Sequence, residues 1–181
     1  MDGGENWLAA NNSAIRGATV QGDENFSSGS LRTLMIAWNA GRDANFPQPY
    51  VRLLPVYRLR AFGTTLWATG QSSQIWNPEV AFNHAHLATN ANGEVGVSVG
   101  VGGGDSHATP VAGFVGDPTL YVTGVSNTSL DRYGDYTAIR PHWPNTKLFS
   151  VSDYYLVAPA SGDGFTVHHQ YRLFGRSGDE N

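Results

Sequence analysis

Three groups of side chains carry ligand or donor chemistry at spacings worth weighing. His84 and His86 lie two apart, so on a strand both rings project to one side, as two metal ligands would, with His107 or Asp105 approaching from an adjoining turn. No carboxylate accompanies the pair at close spacing, and a pair of surface or hydrogen-bonded histidines is the stronger explanation. The adjacent pair His168-His169 has less to offer, because neighbouring strand residues face opposite sides. Aspartates occupy turns at Gly102-Gly-Gly-Asp105, from Asp131 to Asp135, and at Gly162-Asp-Gly164, where their oxygens could serve calcium, an ion that tolerates flexible loops. None follows the EF-hand spacing, and aspartate belongs in turns for its local backbone hydrogen bonds alone. The aromatics Trp76, Trp143, Tyr133 and Tyr136 could form stacking platforms for sugars or for a protein partner. Trp143, set between Pro141-His142 and Pro144 in a predicted turn, is the one expected in solvent; aromatics between packed sheets are expected to be buried.

The elements that would position these groups are strands. Hydrophobic alternation rather than helical periodicity organises the chain from Leu31 onward. Residues 84–89 read as a short strand, Asn90-Ala-Asn-Gly93 as a turn, and 94–101 as a strand with Val95, Val97, Val99 and Val101 on one face. Gly96 and Gly100 on the other face leave room for a sheet or backbone to approach closely. Two further strands, 110–115 and 120–125, flank Gly116-Asp-Pro118 and complete a four-stranded antiparallel unit of roughly forty residues. Strands at 31–38, 50–59 and 64–75 suggest a similar unit upstream, with 31–38 innermost. Those at 135–140, 148–157 and 165–174 suggest another downstream. The expected organisation is a polar arm or first strand over 1–30, blade-sized units at about 31–76, 83–126 and 135–176, and a solvated tail at 177–181.

Composition agrees with an all-β chain and narrows its partners. The 22 glycines and nine prolines, against 14% charged residues, imply many turns and a core of aromatic and β-branched side chains. Net charge is −4 and Lys147 is the only lysine, so a phosphate backbone would find no cationic cluster and nucleic acid is not an expected partner. No apolar run reaches the roughly 18 residues of a membrane-spanning helix, and no basic n-region opens the sequence. Cysteine is absent, which removes disulfides, thiolate zinc sites and cysteine nucleophiles together.

Asp131-Arg-Tyr-Gly-Asp-Tyr-Thr-Ala-Ile139, followed by Lys147-Leu-Phe-Ser-Val-Ser-Asp-Tyr-Tyr155, resembles a motif of sialidase-like, Asp-box-type β-propeller proteins among bacterial exoproteins. There an aromatic-Gly-Asp-Tyr turn opens a blade beside a Phe/Trp-rich strand. Here Tyr133 stands where tryptophan is commoner. The lead-in Asn77-Pro-Glu-Val80 and the Asn92-Gly93 turn add to the likeness, which covers about residues 31–176. The resemblance implies an all-β fold of consecutive four-stranded antiparallel blades, a partial β-propeller. Three blades do not close a ring alone, since propellers take about four to eight, so the chain belongs to a larger propeller, associates with copies of itself, or packs its sheets as a sandwich instead.

For function, the resemblance implies an extracellular or cell-surface recognition and scaffolding module that binds glycan or protein. The alternative is part of a sialidase-like glycoside hydrolase. Sialidase chemistry needs an arginine clamp for a carboxylate, a tyrosine nucleophile with a carboxylate base, and an acid. Arg132 and Arg140, among other arginines, could supply the clamp, Tyr133 or Tyr136 the nucleophile, Glu79 the base, and Asp131 or Asp135 the acid. The family's Arg-Ile-Pro motif is missing, and Ser161-Gly-Asp-Gly-Phe-Thr166 only approximates an Asp-box. Turn chemistry alone also accounts for Tyr133 to Tyr136: Gly134 permits the turn, Asp135 can accept backbone N–H bonds, and the tyrosines cover it.

Overall fold

The structure, a computed structural model, describes residues 14–22, 31–61, 63–103, 106–128, 133–134, 136–160 and 164–180. Asp105, Asp131, Arg132, Asp135 and most of the 161–164 turn lie outside them, and so do the calcium and acid roles assigned there. The described residues form three antiparallel sheets and no helix.

The first sheet runs β1 (Ile15–Gln21), β2 (Leu31–Ala40), β3 (Tyr50–Ala61) and β4 (Thr64–Thr69), with β5 (Ser73–Ile75) also on β3. The second is a meander of β6 (Ala81–Thr89), β7 (Val95–Gly103), β8 (Ser106–Phe114) and β9 (Tyr121–Val122). The third joins β10 (Ala138–Pro141), β11 (Phe149–Val157) and β12 (Thr166–Phe174).

Strand counts therefore depart from a uniform four, and each departure has a local cause. The predicted 64–75 strand is two strands, because Pro55 in β3 lacks a ladder N–H and the partner chain bulges past it, Gly70 N donating to Pro55 O at 2.8 Å. The predicted 120–125 strand shrinks to Tyr121–Val122. Beyond it, Thr123 still donates its N–H to Pro110 O, the next pair in register, but Pro110 has no N–H to return a bond, and Gly124 lies against the Tyr155 ring, where even a Cβ would not fit. The innermost strand of the first sheet is β1, not the 31–38 segment; β1 pairs with β2 and packs on β6.

The second sheet lies between the other two. On its first-sheet side the valine row Val95, Val97 and Val99 packs with Ala37, Val51 and Leu53. On the opposite side, Ala88, Ala112 and Phe114 pack with Ile139, Phe149 and Val151. The space beside Gly96 is filled by Phe149 and Ile139, and that beside Gly100 by Tyr133, which is the close approach their alternation with valine implies. The sheets meet most closely along their first strands, where β6 touches both β1 and β10. Farther out they diverge, leaving one cleft between the first and second sheets and another between the second and third.

Candidate functional site in the first intersheet cleft

The cleft between the first two sheets has a volume of about 520 Å³. Its floor is apolar, with Leu53, Phe82, Val101 and Phe114, and its rim carries Gln74, Trp76, Asn77, Asp117 and Thr119. One wall follows β5 and the turn after it, and the other is the β8–β9 connection, so the two walls come from different sheets.

Three of the rim groups, Trp76, Asn77 and Asp117, are held in place. Trp76, 47% exposed, leans edge-on against Phe46 with ring centres 5.3 Å apart, and Phe46 packs on Tyr50 at 4.3 Å. Asp43 fixes that support. Its Oδ1 accepts the N–H groups of Asn45 and Phe46 at 2.8 and 3.1 Å, and its Oδ2 accepts the Tyr50 hydroxyl at 3.1 Å. Those bonds, the Asn45 N–H foremost, hold the Asp43 carboxyl below the usual carboxylate range. Asn77 Oδ1 closes a turn by accepting the Glu79 and Val80 N–H groups at 2.8 and 3.3 Å, which leaves the amide NH2 as the end that can donate to a ligand.

Across the cleft, Asp117 receives Arg176 through two N–H bonds of 2.6 and 3.0 Å. The Arg176 Nε donates to Glu94 at 2.9 Å, and its guanidinium lies 3.7 Å from the centre of the Phe114 ring. The fork holds the Asp117 carboxyl below its ordinary value and pushes the Arg176 guanidinium further up. Asp117 is therefore an ionised, fixed acceptor at neutral pH.

The predicted site residues that lie among the described ones do not converge. Tyr133 is a core residue, 1% exposed, its hydroxyl donating to Tyr154 O at 2.8 Å; burial pushes that phenol up, away from nucleophile duty. Neither a platform nor a nucleophile can be made of a ring packed there. Tyr136 is 79% exposed and Glu79 stands in the exposed turn before β6, and neither lines an intersheet cleft. Arg140 is exposed on β10. Among the residues lining these clefts, the first has no arginine and the second has one, Arg172, near Tyr121 and Glu180. Trp143 is 82% exposed on the β10–β11 turn, beside a His142 Nδ1 to Tyr171 hydroxyl contact of 3.1 Å.

The histidine spacing fails for a backbone reason. The β6–β7 register shifts between Asn83 and His86, and His84 takes a left-handed φ of 57°, so alternation no longer fixes where the two rings point. His84 is buried with its ring on Gly134, and burial, with Arg16 nearby, pushes the His86 imidazole down. No group of three or more His, Cys, Asp or Glu side chains among the described residues is placed to hold a metal. No helix of the structure is long and apolar enough to cross a membrane.

The cleft residues escaped the sequence reading except for Trp76. Gln74 fell within the predicted 64–75 strand and Asp117 within the Gly116-Asp-Pro118 turn, and only the folding of 73–77 opposite 115–120 brings them to one cleft. A scan against protein-family models and searches of curated proteins and of solved structures each returned no match to this chain.

Proposed function

We propose that the three sheets are consecutive blades of a sialidase-like β-propeller arrangement, and that the chain is a non-catalytic recognition module binding a glycan at the cell exterior. The convergence of β1, β6 and β10, with clefts opening between the outer strands, supports the blade reading. The observation that carries the function is the first intersheet cleft. A supported tryptophan face suits the C–H face of a sugar ring, while Gln74, Asn77 and Asp117 offer the amide and carboxylate groups that hydroxyls need.

Charge selects the sugar. Asp117 on the rim already has its charge met by Arg176, and the lining holds no further cation to clamp a carboxylate, which favours a neutral glycan over an anionic one. The same lining supports binding rather than hydrolysis, since glycosidases work with a pair of catalytic carboxyl groups and Asp117 is the single carboxylate here, bound to Arg176.

Affinity electrophoresis through gels containing neutral polysaccharides tests this reading. At least one polysaccharide is expected to retard the chain, and Trp76→Ala is expected to weaken retention roughly tenfold, equivalent to about 1.4 kcal/mol. Trp143→Ala should leave it unchanged. Retention that follows Trp143 instead, or none on any glycan, would contradict the assignment.

A further inference from the structure

Three segments meet at the turn between β6 and β7. Ala91 N–H donates to Thr146 O and Asn90 Nδ2 to Lys147 O, both at 2.8 Å, which seats the turn on the β10–β11 connection. The segment after β12 comes to the same place. Asn145 Nδ2 donates to Asp179 O at 2.6 Å, and Asp179 N–H closes a turn on Arg176 O at 3.0 Å. The Asp179 carboxylate, 8% exposed, is shared between two donors: Oδ2 accepts the Arg176 N–H at 2.7 Å and Oδ1 accepts Asn92 Nδ2 at 3.1 Å. Arg176, its backbone held in this way, sends its side chain to Asp117 and Glu94. The rim of the first cleft is thus anchored, through Arg176 and Asp179, to Asn92.

Asn92 is followed by Gly93, the one Asn-Gly pair in the sequence. An asparagine side-chain carbonyl can close a five-membered ring with the next backbone nitrogen, and glycine, having no side chain, obstructs that approach least. Both residues are exposed, and open space surrounds the place a Gly93 Cβ would take. The Gly93 N–H donates to Asn90 O at 3.0 Å, so attack waits on a local opening of the turn rather than on unfolding of the sheets. The reaction balances with water alone. Gly93 N gives up its proton and bonds Asn92 Cγ, the Cγ–Nδ2 bond breaks, and the side-chain nitrogen leaves with that proton as ammonia. Water then opens the cyclic imide at one of its two carbonyls, leaving an aspartate or an isoaspartate at position 92.

We propose that Asn92 is a site of spontaneous deamidation, and that the carboxylate formed there releases the segment after β12 and, with it, Arg176 from Asp117. The product inverts the contact with Asp179. Where an amide donated to Oδ1, a second carboxylate now faces it, so Oδ1 loses its hydrogen bond in a largely buried position and gains a like charge. The modification and the release stand on these contacts alone. Their effect on ligand retention rests on the glycan reading of the first cleft, where Asp117 loses the partner that fixes it and meets its charge.

Incubating the purified chain at mildly alkaline pH, followed by peptide mapping, is expected to show the mass gain of one deamidation on the peptide that holds Asn92. The aged chain, separated by charge, should be cut by trypsin after Arg176 about tenfold faster than fresh chain, because cleavage follows the open population. Asn92→Asp should reproduce that cut without ageing. Adding Asp179→Asn to it should restore protection, since the pair regains a donor and an oxygen remains for the Arg176 N–H. Asn92→Gln, whose cyclisation needs a larger ring, should be cut equally before and after incubation. On a polysaccharide that retards the parent chain, Asn92→Asp is expected to weaken retention roughly threefold. An unchanged mass at Asn92, a protected Arg176 in Asn92→Asp, or no restoration by Asp179→Asn would overturn the assignment. Retention unchanged while Arg176 is cut would overturn the link to the cleft. A chain that no glycan retards, yet whose Arg176 follows position 92 in this way, would remove the glycan reading and leave the deamidation site in place.

Discussion

Gly96 is small because Phe149 and Ile139 occupy the volume a side chain would need, a Cβ there lying 2.8 to 2.9 Å from their carbons. Gly96→Val is accordingly expected to lower unfolding free energy in urea by about 2–3 kcal/mol, against an unchanged value for Gly93→Asn, a turn position with open space. Asp153 makes a second test. It is 1% exposed, accepts the Thr123 hydroxyl at 2.6 Å and faces Gln170 across the ladder; burial pushes its carboxyl above 3.8. The folded chain then holds this proton more tightly than the unfolded chain, so stability falls as pH rises from about 3.8 through the folded pKa. Asp153→Asn should raise Tm by about 2–4 °C at pH 7 and by nothing near pH 3, measured by thermal melts at both values. At this scale the sequence was partly legible. Alternating valine and glycine in β7 announced both of its neighbours, since strand period alone assigns faces. The same period misled at His84 and His86, because a bulge leaves no trace in residue type. Tyr133 and Tyr136 differ by one being covered and one not, which nothing in a four-residue turn encodes.

Strands β2, β3, β11 and β12 could be read to within a few residues, for their apolar residues alternate and Gly or Pro clusters bound them. β1 could not, because its seven residues, IRGATVQ, hold only scattered apolar positions and owe their strand form to pairing with β2 and packing on β6. Gly17 is where that packing is tightest. A Cβ there would lie 2.7 Å from Ala85 O and 3.1 Å from Leu87 N, backbone atoms that cannot turn aside as a side chain can. Gly17→Val is therefore expected to cost about 2–3 kcal/mol in urea unfolding, whereas Gly41→Ala, with nothing within 4 Å, should change it by less than about 0.5 kcal/mol. Equal effects at the two positions would mean that β1 does not seat on β6. The break between β4 and β5 matters for the site as well as the fold. It lets β5 return to the near end of β3 and carry Gln74 and Trp76 to the cleft rim, an outcome set by Pro55 twenty residues earlier.

For the whole molecule, the proposed blade arrangement has three sheets that touch along their first strands and part toward their last. The outward divergence makes the clefts, and the clefts bring together residues some forty positions apart, which explains why repeats were visible in the sequence while the site was not. A flat three-layer sandwich would use the same strands and the same alternation but would keep its layers evenly spaced. Absence of native cysteine allows paired cysteines to carry spin labels at chosen strands, with labelled chain diluted in unlabelled chain so that only distances within one copy are read. One pair belongs on first strands, at Ile15 in β1 and Arg140 in β10, and the other on outer strands, at Trp67 in β4 and Tyr171 in β12, all four exposed. Pulsed dipolar spectroscopy should find the first-strand pair about 20 Å apart, two sheet spacings, and the outer pair clearly farther. Equal separations for the two pairs would contradict the radial arrangement.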